Sequence, residues 1–65
     1  MLNFTKEQFV GKRVRMIEMN DPYPIENGTE GIIVFVDGMG HLGVKWDNGR
    51  TLSIIPEEDK YEILE

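Results

Sequence analysis

From His41 to Ile55 the side chains spell out a β-hairpin. Leu42, Val44 and Trp46 alternate with His41, Gly43 and Lys45, and the apolar set resumes at Leu52 and Ile54 after Asp47-Asn48-Gly49. Alternation with a period of two marks strands with one buried face. An Asn-Gly pair usually announces a two-residue type I′ loop. Here that loop would set Lys45 opposite Leu52 and Val44 opposite Ser53, so the two apolar faces would disagree. A one-residue change in register moves every side chain to the other face. A three-residue loop, Asp47 to Gly49, restores agreement, with Val44 across from Leu52 and Leu42 across from Ile54. The sequence therefore predicts a type I turn with Gly49 left-handed in a G1 bulge. Trp46 then lies across from Arg50, whose guanidinium can cover the indole.

The rest of the chain leaves little freedom around that hairpin. It has 65 residues, enough for one domain spanning positions 1–65. So small a domain buries only about 60% of the surface its unfolded chain exposes, and commonly leans on disulfides, a metal or a partner. There is no cysteine, so no disulfide or thiolate ligand, and the single histidine, His41, cannot build a zinc site by itself. No cofactor is expected. A hydrophobic fraction of 40% supports a compact core, helped by self-association if the chain pairs with itself. No signal peptide opens the sequence and no apolar run could cross a bilayer, so no membrane role is expected and the chain reads as cytoplasmic.

Before the hairpin, Phe4-Thr5-Lys6-Glu7-Gln8-Phe9 carries the marks of a helix start. Thr5 is placed as N-cap, Gln8 completes a capping box, Phe4 and Phe9 form a hydrophobic staple, and Gly11 stops the turn. Residues 1–11 are thus expected as a helical turn laid on the barrel. Lys12 to Asn20 reads as the first strand, with Val14 and Met16 inward and Arg13, Arg15 and Ile17 outward. Met19 keeps phase with Ile17 rather than Met16, which predicts a bulge near Met16 and Ile17. Asp21-Pro22-Tyr23-Pro24-Ile25-Glu26-Asn27-Gly28 is an extended loop, pre-set by two prolines. Thr29 to Asp37 is a second strand, with Ile32-Ile33-Val34-Phe35-Val36 apolar throughout, as in a covered or sharply coiled strand. Asp37-Gly38-Met39-Gly40 is a hairpin turn. No helix or lysine follows that would make it a phosphate loop. Pro56-Glu57-Glu58-Asp59 suits a helical turn, and Lys60 to Leu64 a closing strand with Tyr61 and Ile63 on one face.

Five short strands, one long loop after the first, and a helical turn before the last describe a small SH3-like barrel. Gly11-Lys12-Arg13-Val14-Arg15, Asp21-Pro22-Tyr23-Pro24, Gly28-Thr29-Glu30-Gly31, Val44-Lys45-Trp46-Asp47-Asn48-Gly49 and Ile55-Pro56 together carry a resemblance. They are similar to a family of small bacterial and phage proteins catalogued as a domain of unknown function, DUF4314. The resemblance implies a barrel in a bacterial or mobile-element setting, with no assigned activity.

Catalysis needs a nucleophile with a base, a paired carboxylate pocket or a metal. His41 reads as a solvated turn residue, and Asp37 and Asp47 as turn residues bonding locally. The chain is therefore expected to be non-enzymatic. Two binding readings remain. Tyr23, Pro24, Trp46 and Arg50 combine the residue types enriched at protein-interface hot spots, for a protein or peptide partner. Lys12, Arg13, Arg15 and Lys45 form a basic strip that could meet nucleic acid. The net charge of -5 and pI near 4.7 oppose that alternative, because phosphate contacts dominate such affinity.

Overall fold

A computed structural model describes residues 6–64, in which four antiparallel strands form one sheet. They are β1 (Arg13–Glu18), β2 (Glu30–Val36), β3 (Leu42–Trp46) and β4 (Lys60–Leu64), and their order across the sheet is β3-β2-β1-β4. A 3-10 turn, Lys6–Phe9, precedes them, and Phe9 packs against the core. The expected cap Thr5 and staple residue Phe4 lie outside the described residues.

Alternation positions the core as the sequence predicts. Val14 and Met16 of β1 are fully buried, while Arg13 and Arg15 face outward and Ile17 is exposed. The bulge expected beside Met16 appears as a register shift against β4, between Met16 and Glu18. A second shift, between Ile33 and Phe35 of β2, explains the unbroken apolar run there. Val34 is the extra residue, so the strand bends and Val34 and Phe35 both end exposed. The Phe35 ring then lies over Gly43, its partner across the sheet. A Cβ at Gly43 would collide with that ring, so only glycine lets it lie flat.

The hairpin register is the one that the apolar faces require. Leu42 and Ile54 exchange both backbone bonds, at 2.9 and 2.8 Å, and the Trp46 N–H donates to the Arg50 carbonyl at 2.9 Å. Gly49 has φ +92° and its N–H donates to the Trp46 carbonyl, which closes the type I turn with its bulge. The turn of Asp37 to Gly40 repeats this geometry. Gly40 N–H donates to the Asp37 carbonyl, Asp37 N–H to the His41 carbonyl, and Gly40 has φ +84°.

Two expected elements differ. Arg50 to Ile55 does not form a full strand; it meets β3 by the single bridge Leu42–Ile54. The bulge turns the Arg50 N–H away to the Asn48 side chain at 3.0 Å, so no second reciprocal pair forms and the ladder stops. The segment Pro56 to Asp59 is a hydrogen-bonded turn, with the Ile55 carbonyl accepting from Glu58 and Asp59, each at 2.9 Å. What fixes it is the Asp59 carboxylate, which accepts from the Ile55 N–H at 2.8 Å and the Asn20 N–H at 2.9 Å. Among the described residues β3 and β4 are not paired to each other, and the sheet is open rather than a closed five-stranded barrel.

Candidate functional site

The Asp21 to Gly28 loop is held at three points. Ile25 is fully buried and acts as its anchor, with its N–H against the Met19 sulfur at 3.4 Å. The Asp21 carboxylate accepts from the Tyr23 N–H at 2.8 Å, which sets the turn into Pro22 and Tyr23. From the second hairpin, the Arg50 guanidinium donates to the Pro24 carbonyl at 3.0 Å and the Tyr23 carbonyl at 2.8 Å. A planar fork suits two successive carbonyls, because both donors lie in fixed directions. The loop is therefore latched with the Tyr23 ring pointing outward, 78% exposed.

Of the four residues expected to form an aromatic and basic patch, the structure brings three together. Tyr23, Pro24 and Arg50 share one surface. Trp46 does not join them: it is 2% exposed, in the core, with Nε1 donating to the Leu52 carbonyl at 2.8 Å. It sits on the inward face of β3 with Val44 and Leu42, and its one polar atom is satisfied internally. The Arg50 guanidinium, expected over the indole, bonds the loop carbonyls.

The basic strip is largely neutralised. Arg13 grips Asp47 with two bonds, at 2.6 and 3.1 Å, and reaches Glu30 at 3.4 Å. Arg15 bonds Glu30 and Glu62, each at 3.2 Å. The sheet dictates this ladder, since Glu62, Arg15 and Glu30 stand directly opposite one another on β4, β1 and β2. The Arg13 bond holds the Asp47 carboxyl below the ordinary aspartate range, outweighing an opposing desolvation effect, and the charge of Arg13 adds to it. Lys12 and Lys45 have no ion pair among the described residues. They flank the ladder without a cluster of free cations to extend.

At the first hairpin, Asp37 accepts from the His41 and Met39 N–H groups, each at 2.9 Å, and its carboxyl is lowered chiefly by the His41 bond. His41 Nδ1 stands 3.7 Å from Asp37. No group of three or more potential metal ligands occurs among the described residues. No helix there is long and apolar enough to cross a membrane.

Sequence reasoning missed Ile25, Asp59 and the carbonyl latch of Arg50. Asp59 carried one hint, a carboxylate three residues after Pro56. The latch carried none, because its acceptors are main-chain atoms.

The chain belongs to the family described as a domain of unknown function, DUF4314, whose model matches residues 1–64. Neither a curated protein nor a solved structure matches it.

Proposed function

We propose that this chain is a non-enzymatic binding or assembly module that recognises a protein or peptide through Tyr23 and its loop. The latched loop carries the reading. An exposed tyrosine between two prolines, held rigid by Arg50, offers a large contact surface with little entropy left to lose on binding. Arg50 supports that surface from below, and Trp46 supports the hairpin from the core. Nucleic acid is the weaker partner class, given the ladder of paired arginines and the net charge of -5.

The proposal includes an SH3-like barrel in the cytoplasm of a bacterial or phage-carrying cell. Support for the barrel comes from the order β4-β1-β2-β3, extended by the Ile54 bridge, and from two bulges that curve the central strands. The test is affinity capture from an extract of the source cells, with Tyr23→Ala beside the original chain. A protein retained by the original and lost with Tyr23→Ala, at stability unchanged within about 0.5 kcal/mol, is the expected result. Equal retention by both overturns it.

A further inference from the structure

Among the described residues the sheet ends on β4, and its open edge is defined by the bonds of β1. Met16 accepts from the Gly28 N–H at 2.6 Å and donates to the Thr29 carbonyl at 2.8 Å, while the Lys12 carbonyl accepts from Ile33. Lys12 and Met16 thus turn their main-chain groups toward β2. Arg13 and Arg15 turn theirs toward β4, where Leu64 and Glu62 stand opposite. In an antiparallel pair the residues between such partners point their N–H and C=O the other way. Those residues are Tyr61 and Ile63. Neither makes a main-chain bond outside the sheet among the described residues.

The surroundings of this edge are acidic. Glu18, Glu57 and Glu58 are exposed and have no cationic partner among the described residues. Where the edge begins, Glu18, Met19, Asn20, Glu58 and Lys60 line an open cleft of about 300 Å³. Asn20, one of its lining residues, is held by its N–H bond to the Asp59 carboxylate, so the cleft is part of the fold. A second copy of the chain would bring another net charge of -5 to this acidic edge, which opposes it.

We propose that β4 takes an added strand from a basic, extended peptide, whose main chain bonds Tyr61 and Ile63 while a lysine or arginine enters the Glu18–Glu58 cleft. Main-chain bonds give such strand addition its affinity and alternate side chains its specificity. This surface shares no residue with the Tyr23 loop, so either can fail without the other.

The experiment uses the full chain labelled with ¹⁵N and an acetylated, amidated Lys-Val-Lys-Val-Lys peptide, with Glu-Val-Glu-Val-Glu as control. In the free chain, Tyr61 and Ile63 amides should exchange much faster than Glu62 and Leu64. The lysine peptide should slow both by about tenfold at saturation, and Glu57→Gln with Glu58→Gln should weaken its binding about fivefold. Three results overturn the proposal: equal effects from the glutamate peptide, Tyr61 and Ile63 already protected in the dilute free chain, or protection that rises with protein concentration alone. The last identifies a second copy as the occupant.

Discussion

Asp47 closes the second hairpin and also receives both prongs of Arg13, so one carboxylate joins a turn to the middle of the sheet. Its carboxyl and that of Asp37 are both depressed in the folded chain. Such groups stabilise the fold above their ordinary value of 3.8, and that contribution disappears as pH falls through the lowered values. A carboxyl-carbon NMR titration should therefore place both midpoints below 3.8. In Arg13→Gln the Asp47 midpoint should return toward the ordinary value while that of Asp37 stays, because Asp37 is held by main-chain donors. At Gly49, whose φ is +92°, alanine should cost about 1–2 kcal/mol in chemical denaturation, the penalty of a left-handed L-residue. Trp46→Phe should cost about 1–3 kcal/mol, since it leaves the Leu52 carbonyl without its donor. The depth of Trp46 was legible only in part. Alternation put it in line with Leu42 and Val44, yet its residue type also suits an exposed hot spot, and only packing separates the two.

Among the elements, hairpins were the most legible. The register around Asp47 to Gly49 follows from matching two apolar faces, a rule that needs no tertiary information. The twin geometry at Asp37 to Gly40 was not drawn from the residues, because the bulge at Val34 obscures the phase of β2. The turn before β4 was legible only in part, for a different reason. Pro56 and the carboxylates after it look like a helix start, but Asp59 folds its carboxylate back onto Ile55 and across to Asn20. Asp59→Ala should destabilise the chain by about 2–3 kcal/mol, as two main-chain donors lose a charged acceptor. Asp59→Asn, which keeps one acceptor oxygen, should cost less. Thermal or urea unfolding followed by circular dichroism distinguishes the two.

For the whole molecule, the contrast between core and outer face sets what each mutation can do. The outer ladder of Arg13, Arg15, Glu30, Asp47 and Glu62 is partly exposed and screened by salt, so Glu30→Gln should cost less than about 1 kcal/mol. The same ladder should keep the original chain from retaining single- or double-stranded nucleic acid in a low-salt shift assay. Charge counting along the sequence located Lys12, Arg13 and Arg15 but could not pair them. The partners of Arg13 and Arg15 come from two strands and a turn that are distant in sequence and adjacent only in the folded sheet.

The Arg50 latch ties two distant loops to one dimension. A single residue added to the turn at Asp47 to Gly49 would rotate Arg50 to the opposite face of its segment and release the carbonyls of Tyr23 and Pro24. Insertions at that turn are therefore felt at the proline loop, although the two are far apart along the chain. Among descendants of a common ancestor, the two loop lengths should drift together or not at all.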